Sequence, residues 1–176
     1  MKLITIIQAR QESKRFPEKI LQKYKNITLL ELLIKRLKKS KFIKKIIVAT
    51  PKNSSNQQIK NICKKLKIFC YQGSELDVTD RFYKAAKLFN AENIIRITAD
   101  CPLIDPRVID QVAKSFFSED ADYATNTMPA TYPDGLDIEI FKFKSLYSTI
   151  TFSSSKYKNE SVLGMGWCLL DCRCIT

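Results

Sequence analysis

The chain has 176 residues, 45% of them hydrophobic and 27% charged, an ordinary composition for one globular domain with a sizeable core. Its formal net charge is +12, and the complete absence of histidine excludes nucleophile pairs of the Ser-His and Cys-His kinds. No apolar run approaches the length of about 20 residues that crosses a membrane, and the first apolar run is too short for a signal peptide, so we expect a cytoplasmic protein.

The positive charge is concentrated at the start of the chain. The first 50 residues contain 14 Lys and Arg and 3 Asp and Glu, whereas the remainder contains 16 and 15. Such asymmetry indicates an anionic partner, but much of it comes from the stretch RLKKSKFIKK, Arg36–Lys45. We interpret that stretch first as a solvated helix face and turn, with a nucleic-acid patch as the alternative.

Buried strands alternate with amphipathic helices along most of the chain. Apolar runs predict strands at Leu3–Gln8, Lys45–Thr50, Ile68–Tyr71, Asn93–Ala99 and Asp122–Thr125. Helical spacing predicts helices at 29–37, at about 55–67 and at about 78–89, and Asp105 with Pro106 opens a further helix as N-cap and first turn. Leu136–Phe143 alternates strictly, which is typical of a half-exposed strand at a sheet edge. This order predicts an α/β fold, a mainly parallel sheet with helices on both faces.

Polar residues follow the first and fourth predicted strands, where ligands bind in sheets of this kind. Arg10, Ser13, Arg15 and Lys19 follow the first strand, and no glycine precedes Gly73, so a phosphate would be bound by side chains rather than by a glycine-rich loop. The competing interpretations of these cations are a solvated basic face and a nucleic-acid patch. Asp100 follows the fourth strand and is a natural Mg²⁺ ligand beside phosphate, or the cap of a turn.

Other acids and the cysteines have plain structural interpretations. Asp77 and Asp80 fit the first turn of a helix, and the acids of YPDGLDIE (132–139) fit an Asp-Gly turn that leads into a strand. Cys63 and Cys70 are predicted as buried thiols, and disulfides are not expected. Cys168, Cys172 and Cys174 are three candidate zinc ligands, but a structural zinc site needs four ligands and is not expected here.

Together these segments resemble a known family. IIQARQESKRFPEKIL (6–21) is similar to the N-terminal signature of the cytidylyltransferases that activate acidic sugars, in the branch of the spore coat polysaccharide biosynthesis protein F family. Further matches follow in order, namely IIVAT at 46–50, GSELDVTDRFYKAA at 73–86, IIRITADCPLIDP at 94–106 and YPDGLDIEIF at 132–141. The resemblance covers about residues 2–148.

The resemblance implies a Rossmann-like nucleotidyltransferase fold, the nucleotide-diphospho-sugar transferase type. The implied reaction is Mg²⁺-dependent transfer of CMP from CTP to a sugar acid or related sugar, with release of pyrophosphate, for surface polysaccharide biosynthesis. The residues carried over are Ala9 and Arg10 at the nucleotide, Arg10 and Lys19 at the phosphates, Ser13 and Arg15 supporting the loop, Asp77 and Arg81 facing the nucleotide, Tyr132, Asp134 and Asp137 near the sugar, and Asp100 on Mg²⁺. Arg10, Lys19 and Asp100 are the implied catalytic residues.

The sequence also departs from the family pattern. Members often have glycine where this chain has Glu18, and some where it has Glu12, so we expect charge repulsion and lost backbone freedom to weaken nucleotide binding. Residues 1–148 form the predicted nucleotidyltransferase domain, and 149–176 a divergent tail of a truncated or frameshifted product, without the family's later D-T-x-x-D segment. The alternatives are a catalytically inactive remnant, which would still dimerise with itself, or a basic nucleic-acid-binding module.

Overall fold

A seven-stranded sheet lies at the centre of the described part of the chain, residues 2–12, 16–147 and 173–175 without the side chains of Ser54 and Cys174. In this computed structural model its strands are β1 Leu3–Gln8, β4 Ile46–Pro51, β5 Phe69–Gly73, β6 Asn93–Thr98, β7 Tyr123–Thr125, β8 Glu139–Lys142 and β9 Cys174–Ile175, in the order β5-β4-β1-β6-β8-β7-β9. A separate ribbon pairs β2 (Lys23–Tyr24) with β3 (Ile27–Thr28). Four of the six strand pairings in the large sheet are parallel.

Helices cover both faces of the sheet, as the sequence predicts. They are α1 Leu29–Leu37, α2 Gln57–Lys65, α3 Val78–Leu88 and α4 Pro106–Ser118. One apolar core contains buried residues of α1, α2 and α4, and the core on the other face contains those of α3. The α/β class with a mainly parallel sheet is therefore confirmed.

The helix starts follow from local hydrogen bonding. Thr28 and Glu31 form a capping box at α1, in which the Glu31 backbone N–H donates to the Thr28 hydroxyl and the Thr28 N–H donates to the Glu31 carboxylate. The Asp105 carboxylate accepts from the Arg107 N–H, with Pro106 in the first turn, so the predicted start of α4 is confirmed.

The prediction that Leu136–Phe143 forms a half-exposed edge strand is wrong. β8 lies inside the sheet, antiparallel to both β6 and β7, and its first three residues are buried. Glu139, the first residue of this strand, is buried and pairs with Arg96 of β6. Alternation in this strand therefore separates two covered faces of the sheet.

Within the described residues no helix is both long enough and apolar enough to span a membrane. The predicted tail lies almost wholly outside the described residues, and so do Cys168, Cys172 and the side chain of Cys174. The domain boundary at residue 148 therefore stays a prediction.

Candidate active site

The first and fourth strands of the sequence prediction, β1 and β6, are neighbours that end side by side. Gln8 pairs with Thr98 in register, the Ala9 N–H donates to the Ala49 carbonyl at 3.1 Å, and the Ala99 N–H donates to the Gln8 carbonyl at 3.0 Å. Ala9 and Ala99 are both buried. The residues that follow them, Arg10 and Asp100, therefore leave the sheet at the same carboxyl edge, where ligands bind in this class of fold.

Lys19 and Asp100 face each other across this edge. The Lys19 Nζ lies 4.0 Å from Asp100 Oδ2, and the two side chains are 44% and 53% exposed. A half-exposed ion pair of this length contributes little to stability. Both groups thus remain available to an anion and a cation that enter between them.

Two further carboxylates share the electrostatic environment of Asp100. Burial raises the pKa of Asp137, the negative charges of Asp134 and Asp100 raise it further, and Arg96 lowers it in part. Burial likewise raises the pKa of the Cys101 thiol, and the same three carboxylates add to that effect. Within the described residues, however, no three acids, cysteines or histidines lie close enough together to hold a metal alone.

Arg96 and the buried Glu139 form a largely covered ion pair beside this cluster that the sequence prediction missed. One terminal nitrogen of Arg96 contacts the Glu139 carboxylate, and the other donates to Gln8 Oε1 at 3.0 Å. Burial nevertheless raises the pKa of Glu139, although Arg96 opposes it. The available signal was an arginine inside the apolar strand NIIRIT, because a charged residue is seldom buried without a partner.

Tyr132 makes a contact away from the carboxylates. Its hydroxyl donates to Gln111 Oε1 on α4 at 2.9 Å, and its ring packs against the core that contains α4. Proximity of this residue to a sugar stays a prediction.

Asp77 and Arg81 have structural contacts at the start of α3. Asp77 is the N-cap, its carboxylate accepting from the Asp80 N–H at 2.8 Å, and the buried Arg81 guanidinium donates to the Ser74 carbonyl. The helix-start interpretation of Asp77 is thus confirmed, and a contact with nucleotide stays a prediction for both residues. Ser13 and Arg15 lie outside the described residues.

The loop between β1 and Lys19 contains a non-glycine residue with left-handed backbone geometry. Glu18 has φ 55° and ψ 20°, a region that glycine adopts without strain. The Glu18 carboxylate accepts a hydrogen bond from Gln11 Nε2 at 2.7 Å. This negative charge is therefore held by a side chain of the loop itself.

Lysines of the basic stretch lie at the opposite end of the sheet. A cavity of about 600 Å³ opens at the amino ends of β4 and β5, and Lys38, Lys44, Lys45, Lys67 and Phe89 are among its lining residues. The Lys45 ammonium lies 4.0 Å from the centre of the Phe89 ring. Since the six residues of β4 span about 17 Å, these lysines are separate from the Lys19–Asp100 edge.

Comparison with known proteins supplies the family. The family model described as cytidylyltransferase matches residues 4–165. An uncharacterized protein of Methanocaldococcus jannaschii is 39% identical over 162 residues, 92% of this chain and 65% of its own length. The spore coat polysaccharide biosynthesis protein SpsF of Bacillus subtilis is 33% identical over 125 residues, 69% of this chain and 52% of its own. More distant relatives include 3-deoxy-manno-octulosonate cytidylyltransferases.

A solved cytidylyltransferase from Leptospira borgpetersenii serovar Hardjo-bovis has the same fold. It superposes with a TM-score of 0.92 at 31% identity and covers 99% of this chain and 75% of its own. The chain spans less than two thirds of the length of the curated relatives above. The ordered sequence match, the shared fold and the polar strand ends agree, and the chain belongs to the cytidylyltransferase family.

Proposed function

We propose that this chain carries the catalytic nucleotide-binding part of a cytoplasmic enzyme that transfers CMP from CTP to a sugar acid or related sugar. Pyrophosphate is the second product, and surface polysaccharide biosynthesis is the process served. The observation that carries the proposal is the Lys19–Asp100 pair, which opposes a cation and a carboxylate at the carboxyl edge of β1 and β6. Family membership supports the choice of nucleotide.

In this proposal Arg10 and Lys19 bind the triphosphate. Arg10 offers a planar set of donors and Lys19 a mobile point charge, and both suit phosphate oxygens. Negative charge accumulates on the pyrophosphate as it departs, and cations fixed beside it stabilise that charge. Ala9, small and buried at the strand end, leaves room for the nucleotide.

Asp100 is the residue that would hold Mg²⁺. This ion takes one or two carboxylates together with phosphate oxygens, so a single half-exposed Asp100 opposite a phosphate-binding lysine fits it without a cage of protein ligands. Bound there, Mg²⁺ would neutralise phosphate charge and polarise the α-phosphate toward attack. Asp137, whose pKa is raised by burial and by the negative charges of Asp134 and Asp100, would together with Asp134 accept hydrogen bonds from sugar hydroxyls.

The test is pyrophosphate release from CTP in the presence of Mg²⁺ and a panel of sugar acids. We expect Asp100→Asn to lower the rate by about 100-fold or more, a typical loss for a missing electrostatic contact at a transition state. The matched control is Asp120→Asn, an exposed carboxylate just after the end of α4 that pairs with Lys142 and Arg173. Unchanged release by the Asp100 variant would refute the assignment of Asp100.

Thermal stabilisation separates the enzyme from its inactive alternative. If the chain binds CTP, its melting temperature rises with CTP concentration in a Mg²⁺-dependent way. Stabilisation by CTP without pyrophosphate release for any sugar acid would favour the inactive remnant. The absence of both stabilisation by CTP and pyrophosphate release would refute the proposed function.

A further inference from the structure

The loop between the two proposed phosphate cations is closed by Gln11 and Glu18. The Glu18 backbone N–H donates to the Gln11 carbonyl at 3.1 Å, and Gln11 Nε2 donates to the Glu18 carboxylate at 2.7 Å. Arg10 immediately precedes this closure and Lys19 immediately follows it. The backbone bond therefore holds the two ends of this loop together and sets the spacing between the cations, whereas the side-chain bond holds the Glu18 carboxylate in the loop.

Asn56 fixes the closed loop to the sheet. Its Oδ1 accepts from the Gln11 backbone N–H at 3.0 Å, and its Nδ2 donates to the Pro51 carbonyl at 3.2 Å and to Asn53 Oδ1. Asn56 is 1% exposed and Gln11 is 8% exposed. With both amide hydrogens donated to other groups, the carbonyl oxygen of Asn56 is oriented toward Gln11.

These contacts link the end of β4 to the loop that follows β1. Pro51 is the last residue of β4, so the Asn56 amide spans from that strand to Gln11, 45 residues away in sequence. Removal of this amide would leave the buried Gln11 N–H without its acceptor, at a cost that favours movement of the loop. A shift of about 1 Å in a binding group is enough to lose much of its effect on a bound phosphate.

We propose that Asn56 is a positioning residue for the phosphate grip formed by Arg10 and Lys19. The inference rests on the proposed function, because it assumes that these cations bind the phosphates of CTP. Asn56 acts through Gln11 and the loop, and it takes no part in binding the base or the ribose. Removal of the Asn56 side chain should therefore weaken the binding of a nucleoside triphosphate more than that of a monophosphate.

The test measures CTP and CMP dissociation constants by calorimetry for the wild type, Asn56→Ala and Asn61→Ala. Asn61 is the matched control, an exposed asparagine on α2 whose side chain accepts from Gln57. We expect the Asn56 variant to bind CTP about tenfold more weakly, since hydrogen bonds to charged groups are worth at least that factor, and to bind CMP within about twofold of wild type. A merely stabilising role would lower the melting temperature without changing the CTP-to-CMP affinity ratio.

The outcomes separate this inference from the proposed function. A wild type that binds neither nucleotide refutes both. A wild type that binds CTP, with an unchanged affinity ratio in the Asn56 variant, refutes only the positioning role. If Asn56→Ala does not fold, Asn53→Ala is the second variant, because it removes one acceptor of the Asn56 amide and leaves Gln11 in place. A selective loss of CTP affinity of about threefold supports the role, and a wild-type ratio overturns it.

Discussion

Glu18 combines a strained backbone geometry with a negative charge beside the proposed phosphate site. Its left-handed backbone costs a non-glycine residue about 1 kcal/mol, and its carboxylate stands next to the lysine proposed to bind phosphate. The hydrogen bond from Gln11 offsets part of the backbone cost and directs the carboxylate into the loop. Glycine would adopt this backbone geometry without strain and would bring no carboxylate to the loop.

The hydrogen bond between Gln11 and Glu18 should affect the affinity for CTP. Gln11→Ala should weaken CTP binding about threefold, because Glu18 is then no longer held by a side chain and its charge faces the phosphates. Adding Glu18→Gln should restore wild-type affinity in that background. Glu18→Gln alone should change the dissociation constant by less than a factor of about two, since its charge is already held in the loop. Calorimetry at fixed salt measures all four proteins.

Additive effects of the Gln11 and Glu18 substitutions on CTP affinity would contradict the coupling between these two side chains. If Glu18→Gln improves CTP binding equally with and without Gln11, the two side chains act independently and the initial expectation of simple repulsion is restored.

Residues that the sequence could not assign share one property, which is dependence on a distant partner. The position of Arg10, Lys19 and Asp100 at one edge of the sheet could be predicted, because each follows a strand and chain order places those strand ends together. Asn56 and Gln11 are 45 residues apart and bond through a backbone N–H, which leaves no pattern in the sequence. Glu139 could be interpreted only as polar until its antiparallel register with Arg96 was known.

Helix α1 is joined to α2 through the carboxylate of Glu31, which takes part in the N-terminal capping box of α1. Lys65, near the end of α2, donates to Glu31 Oε1 at 2.8 Å, while Glu31 also accepts from Thr28. Burial alone raises the pKa of Glu31, but the hydrogen bonds from Lys65 and Thr28 outweigh it and lower the pKa from 4.5 to about 2. The ionised carboxylate therefore stabilises the packing of two helices that cover the same face of the sheet.

This shift predicts a pH dependence of stability. Because the folded pKa lies below the ordinary value, the contribution of Glu31 is complete above about pH 5 and is lost as the pH falls from 4.5 toward 2. Glu31→Gln keeps an acceptor for the Thr28 cap but loses the charge, so we expect it to lower the free energy of unfolding by about 2 kcal/mol at pH 7, discounted for the exposure of Lys65. Urea unfolding at pH 7, 5, 4 and 3 measures the difference.

The difference between the two proteins should shrink steadily below pH 4.5. Glu119→Gln, an exposed acid at the end of α4, is the matched control and should follow the wild type throughout. If the difference in the free energy of unfolding between wild type and Glu31→Gln stayed constant down to pH 3, the shape of the side chain and not its charge would account for the effect.

The strands that could be predicted are those whose pattern has one meaning. β1, β4 and β6 are continuous apolar runs, and such runs belong to strands covered on both faces. The alternation in β8 is ambiguous, because a polar residue on one face indicates solvent unless a buried charge from a neighbouring strand meets it. Here Arg96 supplies that charge, and β8 lies inside the sheet instead of at its edge.

Among the described residues of the molecule as a whole, lysines lie at both ends of the sheet. Lys19 lies at the carboxyl edge opposite Asp100, and Lys44 and Lys45 lie at the amino end beside the Phe89 cavity. Salt screens charges beyond about 8 Å at physiological ionic strength, and the strand between these ends is about 17 Å long. The two basic regions should therefore act independently on anions.

Charge reversal at the amino end of the sheet tests whether the two basic regions act independently. Lys44→Glu with Lys45→Glu lowers the net charge by about 4, yet at 0.15 M salt it should leave the CTP dissociation constant within about twofold of wild type. Lys19→Gln lowers the net charge by about 1 and should weaken CTP binding about tenfold, because it removes a contact rather than a distant field. Titration of wild type and both variants with CTP and with a single-stranded oligonucleotide, each over a salt series, measures both effects.

Binding of the oligonucleotide should fall in the double variant and persist in the Lys19 variant, with an affinity that decreases steeply as the salt concentration rises. Loss of CTP affinity in the double variant at 0.15 M salt would mean that the basic stretch contributes to the nucleotide site, against the separation of the two sheet ends.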